Sequence, residues 1–356
     1  MPHRFILSCK RIYSSEVMRV KFKKRLLTAA LLLLTAGLLL FPKAASAGAL
    51  RGLRVCGSAL IPALLPYFVL SRLVIACADL RRLHTRAEKP MRFFFGVEGG
   101  CVTALLTGFL GGYPAGAAAV VTLYERGTVS RQSAERALRL CNNSGPAFFL
   151  GVAGGVVLDS VPAGAALYAI HVLAALCAGV LLAERDTPHA AVRKIKPQEA
   201  LSFPRAFSEA VYGSCTALLQ ISALVVFFNA MTALAQRLLP QLPMQGLLVG
   251  IFELTSGITQ LDGAWSVRFL CCAFLLGWGG VCVHFQAAGL WSAAGLHPRG
   301  YFIQKLLHGL LSVLFAAAFL SKHPALLAAA GGIVGFCVLF PFLRKKRGRN
   351  LRTSVV

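Results

Sequence analysis

Negative charge is scarce in this chain. Asp and Glu together number 13 among 356 residues, and all charged types reach only 14%, against roughly 25% in an ordinary soluble domain. That shortage excludes a soluble globular fold of this length. Catalytic signatures are missing too: no HExxH, GxSxG or phosphate-cradling loop occurs. None of the 11 cysteines has a neighbour at zinc-ligand or redox-motif spacing. No enzyme, metal site or organic cofactor is expected. Nucleic acid is an unsuited partner despite the formal net charge of +24. The basic residues sit at the ends of apolar runs, in clusters at 21–25, 81–92, 185–205 and 344–352, with no stripe interleaved with exposed aromatics.

What the chain has in abundance is apolar surface. Hydrophobic residues make up 57% and the mean hydropathy is +0.69. Several runs reach the roughly 20 residues needed to cross about 30 Å of hydrocarbon, where unpaired backbone groups are too costly for anything but helix. The fold class predicted is all-α, a polytopic membrane protein whose partner is the lipid bilayer. Spans are expected near 26–41, 53–78 (kinked at Pro62 and Pro66), 162–183, 207–236, 267–291, 301–320 and 325–343, with a cytosolic loop at 79–92. The basic clusters follow the positive-inside pattern and place themselves in the cytosol. Basic 21–25, apolar 26–41 and Ala45-Ser46-Ala47 imitate a signal peptide, but with more spans behind it the segment serves equally well as a first anchor. Cys56, Cys101, Cys177, Cys271, Cys272 and Cys282 lie inside apolar segments and read as small packing residues.

Four apolar runs are interrupted. Segment 93–123 carries Gly111-Gly112-Tyr113-Pro114-Ala115-Gly116, which no continuous helix tolerates cheaply. Its flank, 124–139, reads as a polar loop with an amphipathic start to the next helix. If that loop shares a side with 79–92, the segment is a re-entrant hairpin. Segment 141–157 crosses, beginning at Asn142-Asn143-Ser144-Gly145-Pro146. In the second half, 246–261 breaks around Glu253-Leu254-Thr255-Ser256-Gly257, and 267–291 carries Gly277-Trp278-Gly279-Gly280. Leu105-Leu106-Thr107-Gly108-Phe109 resembles Leu247-Leu248-Val249-Gly250-Ile251, each just upstream of its break. The charge rule puts the ends of the first hairpin inside and those of the second outside, so the repeats are expected to be inverted. Such paired interruptions point to a secondary transporter's midplane site. The expected organisation is a first transmembrane half, 1–183, a polar basic linker, 184–206, a second half, 207–343, and a basic cytosolic tail, 344–356.

Candidate site residues follow from the breaks. An ionisable group at depth costs at least about 2.5 kcal/mol on insertion scales, so Glu253 and Glu98 are expected to face a cavity or a partner, as sites for a coupling proton or sodium ion. The bland alternative for Glu253 is a carboxylate that caps a broken helix. Asn142, Asn143, Ser144 and Gly145 offer amides, a hydroxyl and unwound backbone. A helix start with Asn or Ser as cap and Pro in the first turn explains them nearly as well, and a helix N-terminus at midplane would in either case attract an anion. Thr255, Ser256 and Gly257 stand at the corresponding break. Tyr113, Pro114 and Gly116 form a turn that can also shape a pocket. His284 and Gln286 sit on a broken segment as binding residues or as hydrogen-bonded packing. The solute expected from these ends is small and anionic.

Residues 112–117, 130–140 and 142–146, with Gly112-Tyr113-Pro114-Ala115-Gly116-Ala117 and Asn142-Asn143-Ser144-Gly145-Pro146 as the most specific blocks, resemble the sporulation integral membrane proteins that carry a nucleoside-recognition, or gate, domain. Among these the likeness is to the stage V transporters of dipicolinic acid. Gly279-Gly280-Val281-Cys282-Val283-His284-Phe285-Gln286 also looks like the family's segment, with Cys282 where the pattern expects Ser. The resemblance implies a concentrative-nucleoside-transporter-like fold with two re-entrant helical hairpins and two broken helices, and the outer forespore membrane or cell membrane of a spore-forming bacterium. It also implies dipicolinate moving from mother cell to spore. A nucleoside or other carboxylate transporter and a non-transporting sporulation scaffold are the competing readings, and a homo-oligomer is compatible with either.

Overall fold

The computed structural model describes residues 22, 24–184, 202–240, 243–321 and 323–353, and among them it is helical with no strand. Two kinds of helix alternate along the chain. Long apolar ones are α8 (Val161–Leu181), α9 (Phe203–Leu238), α14 (Tyr301–Ser321) and α15 (Pro324–Thr353). Short ones meet end to end or tip to tip: α5 (Cys101–Gly111) with α6 (Ala115–Glu125), α10 (Gln245–Phe252) with α11 (Leu254–Thr259), and α12 (Trp265–Trp278) with α13 (Gly280–Ala293). Five spans are long and apolar enough to cross a membrane, counting α12 and α13 as one, and a bent pair, α1 (Lys24–Leu40) with Pro42–Ser58, can supply a sixth. Leu33, Leu39, Tyr212, Leu219 and Leu339 stand exposed on these helices; lipid, not water, is the solvent that tolerates such a surface. The chain is a multi-pass integral membrane protein.

Backbone chemistry places the ends. Ser160 caps α8 by accepting from the Ala163 N–H, with Pro162 in the first turn, and Ser130 does the same for α7 (Arg131–Cys141) through Ser133, each satisfying a donor that the helix start leaves orphaned. Glycines let helices cross backbone to backbone, as small residues do in membrane bundles. A Cβ on Gly48 would lie 2.5 Å from the Asn229 carbonyl oxygen and one on Gly52 2.8 Å from Val226 Cα, so the Gly48/Gly52 face of α2 (Pro42–Val55) seats on α9. Gly277 of α12 meets Gly309 of α14, and Gly154 meets Gly164. The six cysteines read as packing residues are all buried with free thiols.

Several expected boundaries are corrected. The second span begins not near residue 53 but at Pro42: Phe41 breaks the chain, α1 and the next helix meet at 97°, and α2 continues through a π-helical stretch, Cys56–Leu60, into α3 (Ile61–Cys77). The expected loop 79–92 is largely a helix, α4 (Arg81–Pro90). Asp79 starts it by accepting from the Arg81 backbone N–H at 3.2 Å and side chain at 2.9 Å, and these bonds hold the exposed Asp79 carboxyl below its ordinary range. Segment 93–123 has a second interruption, 96–100, before α5 begins. The segment expected to cross over 141–157 is helical mainly over Phe148–Val157; Cys141 ends α7 instead of opening the span. Most of the linker 184–206 lies outside the described residues, but Glu184 is seen. It accepts from Arg139 at 2.9 Å and lies 3.5 Å from Arg136, so the linker's start rests against α7.

That contact sharpens an expectation. Single cysteines replacing Glu125 and Ser202, in a background without Cys9 and without the exposed Cys77 and Cys215, should be labelled by an impermeant thiol reagent from the same side as a cysteine at Lys346. A label on Glu125→Cys from the opposite side would end the inverted-hairpin arrangement.

Candidate functional site

The four interruptions lie together. Gly112, with φ of +80°, a conformation glycine reaches without strain, ends α5 and turns the chain into α6. A Cβ there would lie 2.8 Å from the Gly145 N, so the first hairpin's tip touches the unwound 142–145 stretch. Tyr113 at the same tip donates its hydroxyl to the Leu276 carbonyl at 2.7 Å and lies beside Gly279. Gly279 and Gly280, with φ of +91° and +80°, interrupt the α12–α13 span. The second hairpin meets that break: Trp278 donates to the Ile251 carbonyl at 3.1 Å, and Gly280 sits against Gly250 and Leu254. Each hairpin closes on glycine. Gly108 and Gly116 face each other with the Cys141 carbonyl between them, and Gly257 packs on Gly250.

A cavity of about 250 Å³ opens where these elements meet, walled by Tyr113, Ser144, Gly145, Glu253, Thr255 and Gln286 among mainly apolar neighbours such as Leu60, Leu64 and Phe148. A few convergent polar groups in an apolar wall are the usual make-up of a small-molecule site. Glu253, buried to 2% exposure, stands at the gap between α10 and α11 and accepts from the Thr255 and Ser256 N–H groups at 3.1 and 2.7 Å. The capping alternative is thus realised in a carboxylate that also lines the cavity. Gln286 donates to the Cys282 sulfur at 3.3 Å, so the thiol sulfur takes the part of a weak acceptor.

Other expected residues lie behind the wall. Asn142 donates to the Tyr301 hydroxyl at 2.6 Å, and Asn143 to the Leu140 carbonyl at 2.8 Å. Ser256 donates to Asn229 Oδ1 at 2.7 Å. His284 reaches the Tyr301 hydroxyl at 3.3 Å and stands edge-on to Trp278. Pro114, Gly116 and Gly257 shape the hairpins and do not line the cavity. Glu98 is elsewhere: it accepts from the Ser130 N–H at 2.9 Å, its own N–H donates to Ser133 at 3.2 Å, and it is absent from the cavity wall.

Sequence reasoning passed over a buried polar layer on α8 and α14. Lys305, 1% exposed, donates to the Asn142 carbonyl and, at 3.2 Å, to Asn143 Oδ1. His171 accepts from the Ser144 N–H at 3.2 Å, and His308 contacts the His171 carbonyl at 3.0 Å. The signal was present: Tyr301, Gln304, Lys305, His308 and Ser312 are all buried and fall at the spacing of one helix face.

No family model matches the sequence, and no solved structure matches it. The chain is 27% identical over 335 aligned positions to a sporulation integral membrane protein of Bacillus subtilis, YlbJ, an alignment spanning 83% of this chain and 82% of that one. It is therefore similar over most of its length to a sporulation integral membrane protein.

Proposed function

We propose that the protein is a secondary transporter of a small anionic solute, dipicolinate, moved from mother cell to forespore across the outer forespore membrane. The observation that carries this reading is the convergence of two hairpin tips and two broken spans on one cavity, the arrangement that transporters use at the midplane. In this reading α5–α6 and α10–α11 are the re-entrant hairpins of inverted halves. Apolar walls suit a flat ring, and the unwound Ser144 and Gly145 supply polar backbone to a carboxylate. Glu253 would repel a dianion less than its charge implies, because both its oxygens are engaged by N–H groups of α11. Similarity to a sporulation membrane protein favours dipicolinate over a nucleoside.

Vesicles containing only the purified chain should accumulate labelled dipicolinate above protein-free vesicles and in preference to uridine or adenosine. Correctly inserted protein with no uptake would leave the scaffold reading in its place. Glu253 is the proposed coupling site for a proton or sodium ion. Glu253→Gln keeps the size and one acceptor but abolishes titration, so the response of uptake to pH or sodium should flatten while the half-saturating concentration changes less than about threefold, well short of the tenfold that 1.4 kcal/mol represents. An unchanged response with collapsed affinity would move Glu253 into the substrate shell.

A further inference from the structure

One cation behind the cavity wall has no anion to balance it. Among the described residues the ion pairs are made by arginines with Asp79, Glu88, Glu135, Glu184 and Glu209; none includes Lys305. Its ammonium group is held by two neutral oxygens, of Asn142 and Asn143, and faces the Tyr113 ring at 5.8 Å from the centroid. The other groups around this layer are His171, His308, Tyr301, His284 and the Cys141 thiol, and none is a carboxylate. A charge buried among neutral dipoles is costly, and the dry surroundings that make it so also strengthen its attraction for any anion within reach.

The route to such an anion is short. Ser144 and Gly145 line the cavity, while Asn142 and Asn143, the residues just before them, hold Lys305 on the other side. The Tyr113 ring stands between, belonging at once to the cavity wall and to the cation's surroundings, and one hydroxyl bond to the Leu276 carbonyl fixes it. From this geometry we infer that Lys305 is the counter-charge for a carboxylate of the transported anion, and that Tyr113 is the partition the carboxylate passes. The inference rests on the transporter reading. When Tyr113 leaves the Leu276 carbonyl, the ammonium exchanges the face of the Tyr113 ring for a carboxylate oxygen on its third N–H, keeping the Asn142 and Asn143 oxygens on the other two. No covalent bond changes. The exchange selects anions over neutral ring solutes of the same shape, because a neutral solute leaves the cost of the buried charge unrelieved.

The rival account is a structural tie, in which Lys305 only pins the unwound stretch. Lys305→Met and Lys305→Gln separate the two, since Gln retains a donor for the Asn142 carbonyl but carries no charge. In purified full-length protein, both variants should raise the half-saturating dipicolinate concentration for uptake by on the order of 100-fold, the scale for losing one partner of a buried charge pair. They should also abolish the rise in melting temperature that dipicolinate gives the wild type. Without ligand, Lys305→Met should melt no lower than wild type, because an uncompensated charge has been removed. Pyridine-2,6-dicarboxamide, the uncharged analogue, should compete poorly in wild type. Unchanged half-saturation in Lys305→Gln overturns the counter-charge role while leaving the carrier reading intact. So does a lower melting temperature in Lys305→Met with the dipicolinate-induced rise preserved. If wild type takes up no dipicolinate yet is stabilised by it, and Lys305→Gln is not, the anion site stands and the carrier reading falls. Absence of both uptake and stabilisation overturns both.

Discussion

Gly257→Ala should nearly eliminate the protein from the membrane, and Gly108→Ala should do the same. At Gly257 a methyl group would collide with the Gly250 backbone and come within 2.7 Å of the Gly246 carbonyl. At Gly108 it would strike the Cys141 carbonyl and approach Gly116 Cα to 3.3 Å. Backbone against backbone has no rotamer by which to yield, so the hairpin must open, at the upper end of the roughly 1–3 kcal/mol that overpacking costs, or above it. Gly250→Ala is a graded comparison: its methyl would press mainly on the Leu275 side chain, whose end can turn aside, and its loss should be smaller. Gly331→Ala, with nothing within 4 Å, should be neutral or stabilise slightly, since alanine is the better helix former by about 0.5–1 kcal/mol. Melting in detergent and the amount inserted per cell measure the series. A Gly257→Ala protein that accumulates and melts like wild type would show that the second hairpin is not closed by this contact.

The breaks were legible in the sequence because their causes are local. Glycine pairs, Tyr113-Pro114 and the Asn142–Pro146 run each disturb a helix within a few residues, and a carboxylate such as Glu253 stands out in an apolar run. Their convergence was legible only through the weak repeat between Leu105–Phe109 and Leu247–Ile251. What lay hidden has two physical origins. Single polar residues on long spans vanish in an average of hydropathy, so Lys305 and His308 on α14 and His171 on α8 leave no mark on it, although all three are buried and the α14 pair shares one helix face. Charge, in turn, reads as loop. Arg136 and Arg139 look like exposed residues of a polar flank, yet both are buried, because the Gly96 carbonyl and Glu184 accept from them. That makes α7 a packed helix whose end, not whose start, carries Asn142.

Asn143→Ala should cut dipicolinate uptake while the protein still inserts, for a reason different from direct contact with solute. Asn143 is fully buried and does not line the cavity. Its carbonyl oxygen holds the Lys305 ammonium at 3.2 Å and its amide holds the Leu140 carbonyl at 2.8 Å. Alanine leaves the ammonium with the Asn142 carbonyl as its remaining acceptor on that segment, and a hydrogen bond to a charged group is worth about 1.5–3 kcal/mol. Uptake should therefore fall by about tenfold or more, as 1.4 kcal/mol corresponds to a factor of ten. Because the effect runs through Lys305, it should largely vanish when Asn143→Ala is added to Lys305→Met. Residues sharing one hydrogen bond typically couple by about 0.5–3 kcal/mol in such a cycle. Full uptake by Asn143→Ala would remove this amide from the mechanism. Additive losses in the double variant would instead assign Asn143 a role at the unwound backbone that does not involve the lysine.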